Sequence, residues 1–288
     1  MPELPEVETL KLGLKKYLVG HKIEAVEIRI PKIFFGDKKD IIGAKIIGLK
    51  RIGKGLIIEL NNDFVLTVHL KMTGQLVYQD QKTGNLNLSS KVGGTTLPSK
   101  YTHIIFTLDN GAFLYYNDLR RFGWIKVVSK ADLPKVPFFK DMGPEPKVGS
   151  DLAGKELTFA YFKEVMKKAN QPVKLVLIDQ KRIGGIGNIY ANDGLFKAKI
   201  DPRRKGKTLT DSEIKSLYDA IFYVLKKSLE YGGSSDENYV NALGQEGNYQ
   251  NHALVYGREG EKCKLCPGKI QKIKLGGRGT YFCPECQK

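Results

Sequence analysis

Ala131-Asp132-Leu133-Pro134-Lys135-Val136-Pro137-Phe138-Phe139-Lys140-Asp141-Met142-Gly143-Pro144-Glu145-Pro146-Lys147-Val148-Gly149-Ser150-Asp151 divides the sequence. Each proline lacks a backbone donor and disfavours a helical residue before it, so Pro134, Pro137, Pro144 and Pro146, with Gly143 and Gly149, suit a linker better than a regular element. Upstream, from Lys22 to about Val128, short β-rich runs fall at 22–30, 55–60, 64–70, 102–108, 112–117 and 123–128. Asp109-Asn110-Gly111 separates two of them with residues that tolerate a tight hairpin turn, which predicts an antiparallel sandwich or barrel. Ahead of these runs, Val7, Leu10, Leu14, Tyr17 and Leu18 recur at helical spacing. Downstream the period turns helical at 158–168, 172–180, 188–197 and 211–230, the last opened by a capping box of Thr210 and Glu213. The expected division is 1–132, a linker at 133–150, a helical domain at 151–235, and 236–288 as a flexible loop with a cysteine-rich tail.

The chain is long enough, at 288 residues, for two domains and a sizeable core. Its 41% hydrophobic content excludes a disordered polymer. Lys and Arg number 47 against 31 Asp and Glu, a net charge of +16. Such an excess suits a polyanion: nucleic acid first, an anionic membrane second, with a lysine-rich background as the plain alternative. No apolar run approaches the roughly 20 residues that span a bilayer, so no membrane association is expected. The opening Met1-Pro2-Glu3-Leu4-Pro5-Glu6 is acidic and is not a cationic signal sequence, which places the protein in the cytoplasm.

The four cysteines all follow residue 260. Cys263 and Cys266 form one close pair, Cys283 and Cys286 another, and four thiolates at that spacing suit one structural zinc ion with no coordination position left for catalysis. Disulfides or idle thiols are the alternatives. Between the pairs lie Lys264, Lys269, Lys272, Lys274 and Arg278 against the single acid Glu285. Gly276 and Gly277 permit a tight turn projecting Arg278, which suits phosphate or a base edge if the turn is not merely a solvated basic loop.

Pro2-Glu3-Leu4-Pro5-Glu6-Val7-Glu8-Thr9, Gly184-Gly185-Ile186-Gly187-Asn188-Ile189-Tyr190-Ala191 and the cysteine tail resemble the formamidopyrimidine-DNA glycosylase (Fpg) family. So do Gly53-Lys54, His69-Leu70-Lys71-Met72-Thr73-Gly74, Asp118-Leu119-Arg120-Arg121-Phe122-Gly123 and Tyr256-Gly257-Arg258, in the same order from end to end. The resemblance implies an α+β multidomain fold. Its parts would be an N-terminal antiparallel β-sandwich flanked by helices, a helix–two-turns–helix domain and a four-cysteine zinc finger, with double-stranded DNA in a cleft between the halves. It further implies a monomer and a bifunctional glycosylase/AP lyase that excises oxidised purines and nicks the strand by β,δ-elimination. Endonuclease VIII, a sister family acting on oxidised pyrimidines, typically has Gly at the place of Leu4. A non-catalytic zinc-finger DNA-binding protein is the reading from another class.

Read without the family, Pro2 is a helix-start proline. Removal of Met1 would expose a secondary amine whose pKa lies within reach of neutrality, and the resemblance makes it the nucleophile. Glu3 then protonates the sugar ring oxygen or shuttles protons, and Glu6 is a supporting acid that orients the site or the base, unless it merely favours the helix N-terminus. Lys54, Asn188 and Arg278 are implied to hold phosphates, and Lys174 to lie near the lesion. Met72, Arg120 and Phe122 are implied to fill the hole left by the extruded nucleotide. Residue 119 is Leu where the family often has Pro, which predicts a less rigid wedge loop. The polar segment 234–250 occupies the place of a base-capping loop and is expected to be disordered without DNA.

Overall fold

The computed structural model describes residues 1–84, 87–149 and 153–288. They form two compact units, Met1–Lys140 with Tyr231–Asn248, and Asp141–Glu230 with Tyr249–Lys288.

The first unit opens with helix α1 (Leu4–Leu18), then strands β1 (Ile23–Ile28), β2 (Phe34–Phe35), β3 (Ile46–Ile52), β4 (Gly55–Leu60), β5 (Phe64–His69), β6 (Gly74–Gln79), β7 (Thr102–Leu108), β8 (Phe113–Asp118) and β9 (Trp124–Ser129), and a helical turn α2 (Pro137–Lys140). The strands make two separate sheets, ordered β1-β7-β8-β6 and β2-β9-β5-β4-β3. This is a sandwich, not a closed barrel. Every pairing is antiparallel except the short β2–β9 contact. Both sheets supply one core: Val26, Ile104, Leu114 and Leu76 from the first meet Leu49, Ile58, Leu66 and Ile125 from the second, and α1 adds Val7, Leu10, Leu14 and Leu18. The expected hairpin at 109–111 is present, with Gly111 at φ +76 and Leu108 N–H donating to the Ala112 carbonyl.

Two expectations change here. The proline-rich stretch is not bare linker: it holds α2, and Val136 and Phe139 bury the second face of β4 and β5 against Ile57 and Val65. A side chain at Gly55 would lie 2.7–2.8 Å from the Phe138 and Phe139 rings, so glycine is required. The junction expected at 150–151 lies outside the described residues. Residues 236–248, grouped by the sequence reading with the tail, belong to the first unit. Far from disordered, Val240 packs on Val77 and Val92, and Ala242 joins the main core.

The second unit contains α3 (Phe159–Lys168), α4 (Val173–Ile178), α5 (Asn188–Lys197), α6 (Asp211–Glu230) and the hairpin β10 (Gln271–Leu275) and β11 (Arg278–Phe282). The capping box forms: Thr210 N–H donates to Glu213 Oε2 (2.7 Å) and Glu213 N–H to Thr210 Oγ1 (3.2 Å). Two turns join α4 to α5, with Arg182 and Ile183 N–H on the Asp179 carbonyl and Gly185 N–H on Gln180 Oε1. Helix α5 is buried from Ile189 to Phe196, so it is the unit's central helix. Among the described residues, no helix is long and apolar enough to cross a membrane.

Candidate functional site

In the first unit, Pro2, Glu3 and Glu6 are buried at the start of α1. Glu3 N–H donates to Glu6 Oε2, and Ser234 N–H donates to Glu6 Oε1, each at 2.8 Å. Both oxygens of Glu6 therefore accept from backbone amides, tying the helix start to the 231–248 segment. With Met1 attached, the Pro2 nitrogen is an amide; the free amine belongs to Met1, 2.6 Å from Glu237 Oε2.

Lys54 sits in the turn between β3 and β4, where Gly53 takes φ +57. Arg51, overlooked in the sequence, builds this turn. Arg51 Nη1 donates to the Gly53 carbonyl (2.8 Å) and its Nε to Glu8 Oε2 (2.9 Å), while Lys11 Nζ pairs with Glu8 Oε1 (2.8 Å). All three charges are buried, so an ion network of one carboxylate and two cations links α1 to the Lys54 turn. The signal was there: Arg51 follows Leu49 by two in a strand, the same inward face. Close by, burial, then Lys71 and Lys54, push the His69 pKa down to about 3, so its imidazole is neutral.

The wedge candidates come together through the ladders. His69 pairs with Trp124 in one sheet and Gly74 with Asp118 in the other, so the connections 70–73 and 119–123 cross between the sheets side by side. Met72 is half-buried; Leu119, Arg120, Arg121 and Phe122 are exposed, and the Arg120 guanidinium lies 4.7 Å from the Phe122 ring centroid. The sequence reading expected Leu119 to loosen this loop. Within it the buried Asp118 carboxylate accepts from Arg120 N–H (3.2 Å) and Gly123 N–H (2.8 Å). A cavity of about 210 Å³, lined in part by Thr73, Gln75, Asn117, Leu119 and Asn238, opens beside it.

In the second unit, Asn188 begins α5 and its Nδ2 donates to the Gly279 carbonyl (3.1 Å). Lys174, expected beside the lesion, is fully buried, with Nζ 2.7 Å from the same carbonyl and 2.6 Å from Thr280 Oγ1. Lys174 thereby bonds the strand that carries Arg278. Arg278 itself is exposed after Gly276 (φ +55) and Gly277 (φ +77), so Lys174, Asn188 and Arg278 converge on one strand. The four cysteine sulfurs lie within 4.8 Å of one another, with Cys263–Cys286 at 3.8 Å and Cys266–Cys283 at 3.5 Å. Zn–S bonds of about 2.3 Å in a tetrahedron give sulfur separations of about 3.8 Å, so the set fits one structural zinc ion.

Comparison with known proteins follows the same division. Residues 1–125 match the formamidopyrimidine-DNA glycosylase N-terminal domain, 142–239 the formamidopyrimidine-DNA glycosylase H2TH domain, and 260–288 the zinc finger found in FPG and IleRS. The formamidopyrimidine-DNA glycosylase of Pelotomaculum thermopropionicum is 40% identical over 100% of this chain and 99% of its own. That of Streptococcus mutans is 38% identical over 100% of both. Lactococcus lactis Fpg in complex with abasic-site DNA superposes with a TM-score of 0.86 at 35% identity, covering 100% of both chains. The wild-type Lactococcus lactis enzyme with an N7-benzyl-Fapy-dG DNA gives 0.86 at 36%, again over 100% of both.

Proposed function

The chain belongs to the formamidopyrimidine-DNA glycosylase family and is a DNA glycosylase of DNA repair, and we propose that it excises oxidised purines, 8-oxoguanine and formamidopyrimidines, through the amine of Pro2 and then nicks the strand. The observation that carries this reading is the start of α1: Pro2 is buried beside Glu3, whose backbone Glu6 fixes. Once Met1 is removed, the Pro2 nitrogen bonds to the anomeric carbon as the glycosidic bond breaks, and the base leaves with a proton. Glu3 supplies a proton to the ring oxygen so that the sugar opens to an iminium. The iminium acidifies the adjacent carbon, and loss of that proton expels the 3′ phosphate; a second elimination expels the 5′ phosphate.

Lys54, Asn188 and Arg278 hold phosphates of double-stranded DNA, and Met72, Arg120 and Phe122 enter the duplex when the lesion leaves the stack. The net charge of +16 supports a polyanionic partner. The four cysteines hold zinc to keep the finger folded, and the protein acts as a cytoplasmic, nucleoid-associated monomer. Borohydride reduction tests the chemistry, because it traps only an imine or iminium. Untagged protein with Met1 removed should yield a covalent adduct through Pro2 on a duplex carrying 8-oxoguanine opposite cytosine. Pro2→Gly should abolish normal adduct formation, and Glu3→Gln should depress it. Lesion binding without adduct or nicking would leave a damage-binding protein, and faster excision of thymine glycol would shift the substrate class to pyrimidines.

A further inference from the structure

The two wedge-bearing connections are joined by more than proximity. Thr73 Oγ1 donates to Asp118 Oδ1 at 2.5 Å and accepts from Arg120 N–H at 2.9 Å. Asp118 Oδ2 accepts from Gly123 N–H, and the Asp118 carbonyl lies 2.8 Å from His103 Nε2. One buried carboxylate and one hydroxyl therefore reach both ends of the 119–123 connection and the residue after Met72. The close approach is built in. A side chain at Gly74 would lie 2.5 Å from the Leu70 carbonyl oxygen, and one at Gly123 2.8 Å from the His69 carbonyl oxygen. Of the three described non-glycine residues at positive φ, two are Lys71 (+52) and Arg121 (+57), directly preceding Met72 and Phe122. Backbone in that region is strained for residues with a side chain and persists only where the surroundings impose it.

We propose that Asp118 and Thr73 form a latch that locks the Met72 and Arg120–Phe122 connections into one preorganised insertion unit, making both residues positioning determinants of nucleotide extrusion. The inference rests on reading Met72, Arg120 and Phe122 as the wedge. A latched unit enters the stack without first ordering two loops, so its value lies in the step that opens the duplex. An unstacked substrate has no use for it.

Thr73→Val keeps the shape and deletes the hydroxyl, Asp118→Asn weakens the same contacts, and Thr73→Ser retains them. On duplex 8-oxoguanine, Thr73→Val and Asp118→Asn should lower single-turnover excision about 10- to 100-fold, the loss expected when a buried hydrogen-bonded group is stranded. Cleavage of an abasic site in single-stranded DNA should stay within about twofold, and Thr73→Ser should recover most of the duplex rate. The fluorescence rise of 2-aminopurine placed opposite the lesion, which reports unstacking without chemistry, should slow by the same factor. Met72→Ala and Phe122→Ala are the controls. If they impair duplex excision and 2-aminopurine unstacking while Thr73→Val and Asp118→Asn do not, the latch is overturned and the wedge stands. If none of the four matters, the wedge reading fails and the latch with it. Equal losses on duplex and single strand would assign the contact to fold maintenance and overturn the proposal.

Discussion

Lys174 Nζ lies 2.7 Å from the carbonyl oxygen of Gly279, the residue after the exposed Arg278, so a fully buried ammonium fixes the strand from which the arginine projects. Lys174→Met preserves length and removes the charge. The loss of the ammonium leaves Thr280 Oγ1 without that donor, while Asn188 still covers the carbonyl, a cost of about 1–3 kcal/mol. The melting temperature should therefore fall by a few degrees. DNA affinity should fall about tenfold, matching Arg278→Ala, because the hairpin loses its charge-assisted anchor. Calorimetry and fluorescence anisotropy read the two effects separately; a variant that binds DNA like the wild type would free Arg278 of any dependence on Lys174.

Zinc holds the same hairpin from its other end. Cys263 and Cys283 belong to a small apolar cluster with Phe196, Val255 and Ile270, too few groups to order β10 and β11 unaided. Removing the metal with a chelator should release the finger and abolish duplex binding while the first unit stays folded. Metal analysis should find one zinc per chain, and adding zinc back should restore binding. Undiminished DNA affinity in zinc-free protein would show that the finger folds without it.

What the sequence displayed was local. The cysteine spacing, the 109–111 turn and the Thr210 capping box each depend on residues a few positions apart, and each forms. β3 and β6 escaped notice because their partners blur the pattern. β3 carries Gly48 and the inward Arg51, while β6 is buried on both faces, its second side covered by Val92 and Val240. Phe139 looked like linker because β4, the surface it covers, lies some 80 residues earlier in the chain. Candidate site residues were legible as motifs, but their division of labour was not. That Glu6 accepts from two amides, that Lys174 faces inward, and that Asp118 bonds both ends of the 119–123 connection are consequences of tertiary contact.

Glu6→Gln tests that division at the start of α1. A glutamine offers one acceptor oxygen where Glu6 uses two, so the amide of Glu3 or of Ser234 must lose its partner. Stranding a buried donor costs about 1–3 kcal/mol. Denaturant unfolding should show a loss of that size, and single-turnover excision should fall by about tenfold or more as Glu3 shifts. Binding to a non-cleavable abasic analogue, governed by phosphate contacts, should hold. Wild-type turnover in a destabilised Gln variant would separate Glu6 from the chemistry altogether.

Burial of His69 gives the first unit one source of acid sensitivity. Lys71 N–H donates to its Nδ1 at 2.9 Å, and the Phe138 ring stands edge-on with its centroid 4.5 Å away. Its pKa is lowered from 6.5 to about 3 by burial, Lys71 and Lys54. Between those values the unfolded chain binds a proton that the folded chain refuses. Stability is therefore whole above about pH 6.5 and declines as pH falls, by at most about 1.4 kcal/mol per pH unit from this group, until the folded imidazole titrates. His69→Gln keeps an acceptor for Lys71 but cannot titrate. Urea midpoints measured at about pH 7 and about pH 5 should drop further in the wild type than in the variant. Parallel declines would mean that His69 stays protonated or unprotonated alike in both states, and that the neutral ring beside Lys54 is not what acid destroys.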